Sequence, residues 1–137
     1  MAIPFDVDIP FIRLLGIELL RMEGGEAELR FDPRPEHLNS FAVLHGGAVM
    51  TLMDVTLAHA ARSVSPELGA VTVEMKTSFL QPCRGPLTAL GRILHRTGST
   101  AFVEGSIHDA QGQLCAHATG TFRYVRRQPA QPSIPTD

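Results

Sequence analysis

Asp54 is the residue most in need of a chemical explanation. Between residues 48 and 61 only Asp54 and His59 carry an ionisable side chain, and the rest of the stretch is almost wholly apolar. A helix that is apolar on nearly every side is a buried helix, and carboxylates are rarely buried without a partner. Asp54 lies beyond the first turn, so a helix dipole does not account for it. A structural ion pair or a solvated slot would account for it without chemistry. The alternative is a carboxylate placed to attack a substrate or to activate water. Upstream stand His45, Gly46 and Gly47. Two glycines at a helix mouth leave backbone N–H groups uncovered, and the dipole adds partial positive charge there. That is a site for polarising a carbonyl or holding an oxyanion. A glycine pair is also what lets a helix start close against a strand. His45 is open to two readings, donor to a substrate or leaving group, and loop packing. Asn39 is either a turn residue or a water-holding amide.

The spacing limits how these groups can work together. Gly47 and Asp54 share a helix face within about 20° but lie about 10 Å apart along the axis. The Asp side chain leans toward the N-terminus and closes only part of that gap. One carbonyl can hardly touch both groups on one helix. Two antiparallel helices across a dimer axis would bring Gly46 of one chain to Asp54 of the other. His59 lies about 140° around the helix from Asp54 and reads as structural, not as its dyad partner.

The elements that must position these residues follow from periodicity and turn signals. Residues 10–15 suit a short helix, with Pro10 at its start and Gly16 after its end. Ile17 to Met22 and Glu26 to Phe31 read as a hairpin around Gly24-Gly25. Residues 32–44 read as a loop, and Gly46 to Ser63 as the one long helix. After Pro66 come four strands, Val71–Leu80, Leu87–Arg96, Thr100–Asp109 and Gln113–Val125. In the first of these Val71, Val73, Met75 and Phe79 share one parity; Thr72, Glu74, Lys76 and Ser78 share the other. Thr72 on the polar parity reads as a strand-forming residue. Two strands, a buried helix and four strands give an α+β fold, most simply a helix wrapped by a strongly curved antiparallel sheet. One such sheet cannot cover the whole helix, and the bare face and sheet edges invite a second copy of the chain.

Composition narrows the function classes. The 137 residues suit one domain, residues 1–127, with 128–137 (QPAQPSIPTD) as a flexible Pro-rich tail. Hydrophobic residues make up 44% and charged residues 19%, as in an ordinary globular protein. A formal charge of −2 offers no bulk attraction for nucleic acid. No apolar run reaches the ~20 residues of a membrane helix. The opening MAIPFDVDIP has acids and no basic segment, so it does not read as a secretory leader. Cys83 and Cys115 then read as reduced thiols in a cytoplasm. The six histidines are scattered without metal-ligand spacing, so no metal is expected. There is no P-loop, no GxGxxG and no GxSxG.

Asn39-x5-His45-Gly46-Gly47-x6-Asp54 resembles the active-site segment of the hotdog-fold acyl-CoA thioesterases of the phenylacetate-degradation (PaaI) type. Residues 72–82 (TVEMKTSFLQP) are similar to the strand that follows in those enzymes, and residues 112–122 (GQLCAHATGTF) to their last strand. The likeness spans roughly residues 11–125. It implies a hotdog fold of about six strands around a central helix, no cofactor, and a homodimer with active sites at the subunit interface, often paired into a tetramer. It implies hydrolysis of an aryl- or medium-chain acyl-CoA to free acid and CoA. In that reading the Gly46 N–H polarises the carbonyl and Asp54 of the opposite subunit is nucleophile or general base. Thr72 orients water or the carboxylate, while Asn39 and His45 hold water or the departing thiolate. By the same likeness Gly47 binds substrate, Phe79 and His95 line the nucleotide channel, and Arg84, Arg96 and Arg123 serve the CoA phosphates. Phe41, Leu44, Met50 and Met53 are expected to wall the acyl pocket. A non-catalytic acyl-CoA-binding hotdog protein and a hotdog hydratase or dehydratase are the competing classes. Retention of Asp54, Asn39 and Thr72 argues against the first, and the lack of a His on Asp54's helix face against the second.

Overall fold

The computed structural model describes residues 1–127; the expected 128–137 tail lies outside the described residues. The chain order is α1 (Pro10–Leu15), β1 (Glu18–Glu23), β2 (Glu26–Phe31), α2 (Gly46–Arg62), β3 (Leu68–Phe79), β4 (Leu87–Arg96), β5 (Thr100–His108) and β6 (Leu114–Arg126). Six strands form one antiparallel sheet in the order β1-β2-β4-β5-β6-β3, with α2 packed on its inner face. This is the expected hotdog architecture, a single long helix held in a curved sheet. Gly24 and Gly25, at φ 61° and 85°, make the left-handed turn that closes the β1–β2 hairpin.

α2 sits deep because the sheet is thinned beneath it. Gly91 on β4 and Gly105 on β5 are cross-strand partners. A Cβ at Gly91 would lie 3.1 Å from the Thr56 carbonyl oxygen; one at Gly105 would lie 2.7 Å from Leu57 Cδ2. With those methyls absent, Met53 and Leu57 drop into the sheet and are fully buried. Full burial of such side chains stabilises the fold by roughly 1.5–3 kcal/mol each. The helix end is pinned as well. The Gly25 N–H donates to Ser63 Oγ at 2.8 Å, and the Tyr124 hydroxyl donates to the Ala61 carbonyl at 2.6 Å.

β3 departs from the expected single parity. Thr72 pairs with Phe122, but Glu74 pairs with Thr121, so Val73 is an extra residue in the strand. Residues opposite one another in an antiparallel pair point to the same side. Ala70 and Thr72 therefore face inward with Tyr124 and Phe122, while past the bulge Met75, Thr77 and Phe79 do so with Gly120, Ala118 and Ala116. Val71 and Val73 lie exposed, Val73 at 63%. The alternation of apolar residues across 71–79 thus misplaced Thr72. The bulge turns its hydroxyl toward the helix.

Candidate active site

Asp54 is halfway along α2, on the strip the sheet leaves half-covered. The Thr72 hydroxyl donates to Asp54 Oδ1 at 2.6 Å. A short bond to a carboxylate is charge-assisted and orients the acceptor. Asp54 is therefore held by a hydroxyl from β3 and opens onto a cavity of about 570 Å³. α2 forms the floor of this cavity, and the segment before and within α1 and the inner face of β3 form its sides.

Gly46 opens α2, and the first-turn donors divide in an informative way. His45 is the N-cap. Its Nδ1 accepts the Gly47 N–H at 2.8 Å, and its carbonyl accepts the N–H groups of Ala48 and Val49. A neutral imidazole accepting at Nδ1 carries its proton on Nε2, which remains as its one donor. Among the described residues, no acceptor lies on the Gly46 N–H. The first-turn amide left free at the positive end of the helix is that of Gly46, not Gly47. The Phe79 ring lies over it, 3.6 Å from where a Gly46 Cβ would stand. Gly46, Phe79 and Asn39 share a second cavity of about 350 Å³.

Asn39 builds the loop leading into this helix. Its Oδ1 accepts the N–H groups of Phe41 and Val43 at 2.9 and 3.3 Å, and Ala42 between them takes a positive φ of 59°. The side-chain carbonyl is thereby spent on the turn, and the amide NH₂ is what Asn39 can offer a ligand. Of the two readings of the residue type, the turn is realised through Oδ1. Cys83 borders the same cavity, but burial pushes its thiol up to about 12, so it supplies no thiolate at neutral pH.

The structure brings some of the other expected residues to the site and leaves others apart. Gly46 and Asp54 do not converge within one chain. They open into different cavities, about 12 Å apart along the helix. Of the residues expected to wall an acyl pocket, Met50 lines the cavity at Asp54 and Leu44 borders the Gly46 cavity. Met53 is instead buried in the core, because the thinned sheet draws it in, and Phe41 stands 81% exposed at a loop tip. Arg84 is exposed in the loop after β3. Arg96 lies 5.0 Å over the Tyr124 ring and reaches Ser65 Oγ at 3.3 Å, beside the C-terminal end of α2. His95 stacks on Phe102, 6.1 Å between centroids; Arg123 is exposed on β6 between Val71 and Thr100. His59 is 2% exposed, with its Nδ1–H on the Val55 carbonyl at 2.7 Å, and burial lowers its pKa.

Sequence reasoning missed the segment of residues 7–12 as a wall of the Asp54 cavity. Its only signal was the alternation of Val7, Ile9 and Phe11 with polar residues or proline. It also missed what holds that segment. Arg62 is 4% exposed and binds both oxygens of Asp6, at 3.1 and 2.6 Å, as well as the carbonyls of Leu68 and Pro66. The Arg62 bond holds the Asp6 carboxyl below the usual range.

A hotdog fold with a hydroxyl-held carboxylate mid-helix and a free amide at the helix start defines a class, the hotdog thioester hydrolases. The sequence model of the Thioesterase superfamily matches residues 41–116, more than half of the chain, and the chain belongs to that superfamily. It is 33% identical over 115 residues to an esterase-named protein of Saccharolobus solfataricus, covering 83% of this chain and 82% of that one. It is 29% identical over 135 residues to the medium/long-chain acyl-CoA thioesterase YigI of Escherichia coli K12, covering 86% and 87%. The solved structure of the Escherichia coli PaaI protein from the phenylacetic acid degradation operon matches with a TM-score of 0.81 at 26% identity, covering 86% of each chain.

Proposed function

We propose that this chain hydrolyses aryl- or medium-chain acyl-CoA thioesters to free acid and CoA, as a homodimer whose sites are shared between subunits. The observation that carries the reading is the Thr72–Asp54 hydrogen bond at the mouth of a mainly apolar cavity. A thioester needs a donor for the charge that develops on its carbonyl oxygen, and a nucleophile made or positioned at its carbon. The free Gly46 N–H at the helix start suits the first need. Asp54, oriented by Thr72, suits the second, by attacking the carbon itself or by taking a proton from an attacking water. The Asn39 amide serves to hold water. The His45 Nε2–H serves as a donor to the departing sulfur.

Three features support the shared site. Gly46 and Asp54 open into separate cavities of one chain. β3 is an edge strand with Val71 and Val73 exposed, an edge that a second β3 can pair. Arg96 stands at the C-terminal end of its own α2, the end that an antiparallel partner helix would bring near the partner's Gly46. On this arrangement Arg84, Arg96 and Arg123 hold the CoA phosphates and His95 lines the nucleotide channel. Pairing of dimers into a tetramer and residence in the cytoplasm belong to the same reading. No helix among the described residues is long and apolar enough to cross a membrane.

A thiol-release assay over acyl-CoA substrates tests the proposal with two variants. Asp54→Asn lowers turnover roughly 10²–10⁴-fold. Gly46→Pro removes the free N–H at the one helix position where Pro is welcome, and His45 before it already has the extended φ −59° and ψ 138° that Pro demands. Each variant alone is inactive. Mixed heterodimers regain one intact site, so the mixture recovers activity. No recovery in proven heterodimers defeats the shared site, and near wild-type turnover in Asp54→Asn defeats the mechanism.

A further inference from the structure

The cavity at Asp54 runs along α2 from Met50 to Arg62, and its longer arm from the carboxylate follows the C-terminal half of the helix. We propose that this groove is the acyl channel, that Ala58 sets its bore, and that the Arg62–Asp6 pair closes its end, so that the enzyme selects unbranched medium-length acyl chains over aryl groups. The inference rests on the thioesterase reading above and deepens it.

The helix geometry places the parts. Ala58 is one turn beyond Asp54 and about 40° around from it, in the middle of the strip that floors the groove. It is the one small side chain on that strip between Asp54 and Arg62; its neighbours in the groove are Val55 and His59. Across from it Ala70, the inward-facing residue before Thr72 on β3, is equally small. The two alanines, both in the cavity lining, leave room beside the carboxylate. Ile9 and Phe11 form the outer wall.

The closed end sets a length. Asp54 to Arg62 is eight residues, about 12 Å. Extended backbone advances about 3.5 Å over three bonds, so a zigzag chain fills that span with roughly ten bonds. The end offers little to a polar acyl terminus. The Arg62 guanidinium is spent on Asp6, Leu68 and Pro66, and His59 Nε2 is buried out of reach of solvent. An apolar chain of eight to ten or so carbons is the occupant that the groove fits.

The test is the chain-length profile of kcat/KM for the full-length protein, from acetyl-CoA to palmitoyl-CoA with phenylacetyl-CoA beside them. Wild type is expected to peak between octanoyl- and decanoyl-CoA. Each buried methylene is worth about fourfold, so an Ala58→Leu side chain that displaces three of them lowers the decanoyl-to-butyryl ratio roughly sixtyfold. Ala70→Val narrows the same space from the strand and shifts the ratio the same way, which covers the case that Ala58→Leu does not fold. An unchanged ratio in a folded, active variant overturns the channel assignment, as does a wild-type preference for phenylacetyl-CoA. Absence of hydrolysis of every thioester by wild type sinks the thioesterase reading instead, so the two failures are distinct.

Discussion

Replacing Thr72 with Val isolates the contact on which the mechanism turns. Val keeps the shape of Thr and its β-branching, so it suits the strand and leaves the fold alone. It removes one hydrogen bond, from the Thr72 hydroxyl to Asp54 Oδ1 at 2.6 Å. A bond to a charged acceptor is worth about 1.5–3 kcal/mol. Thr72 is exposed and Asp54 half-buried, so water replaces part of what is lost and the lower end applies. About 1.5 kcal/mol at the transition state is roughly tenfold in rate. The expectation is a kcat lower by about ten- to thirtyfold in thiol release at saturating acyl-CoA. KM should change little, because the bond holds the catalytic group and not the substrate. Thr72→Ser restores the donor and should recover most of the loss. In an Asp54→Asn background Thr72→Val should cost little more, since both changes strike one unit. A kcat within twofold of wild type refutes the argument. So does a Ser variant as impaired as the Val variant.

Two further outcomes concern stability. Burial lowers the pKa of His59, so between pH 7 and 5 the unfolded chain takes up a proton that the folded chain refuses. Stability is full above the unfolded value near 6.5 and falls as pH drops below it, by at most about 1.4 kcal/mol per pH unit until the folded group also titrates. The sign is opposite to that of a histidine paired with an acid. Urea midpoints across that range should fall in wild type and less steeply in His59→Phe; equal slopes refute the assignment. Asp6, held low by Arg62, contributes in the same sense but in a more acidic window, below about 3.8. Gly105→Ala places a methyl 2.7 Å from Leu57 Cδ2 and 2.9 Å from the Leu90 carbonyl oxygen. Backbone cannot give way cheaply, so a loss of roughly 1–3 kcal/mol is expected in thermal or urea unfolding. A variant as stable as wild type would show that α2 does not sit as close to the sheet as described.

Much of this protein is legible in one dimension. The buried helix is legible because an apolar run between Gly46 and Ser63 has one physical use, and Asp54 stands out within it because a carboxylate there has a desolvation cost to explain. The hairpin at Gly24-Gly25 and the strands at 87–96 and 100–108 follow from turn residues and alternation, which are local properties. Thr72 was not legible from its residues alone. Its parity across 71–79 pointed it away from the helix, and an extra residue at Val73 reverses that; a bulge is a relation between two strands. The split of the first-turn donors, with Gly47 capped by His45 and Gly46 left free, depends on one side-chain rotamer at the helix start. The wall at residues 7–12 and its clamp join Asp6 to Arg62 across 56 positions of sequence. Local pattern determines which segments form helix and strand. Only packing decides which atoms of those segments are left unpaired and face one another, and the chemistry is done by those atoms.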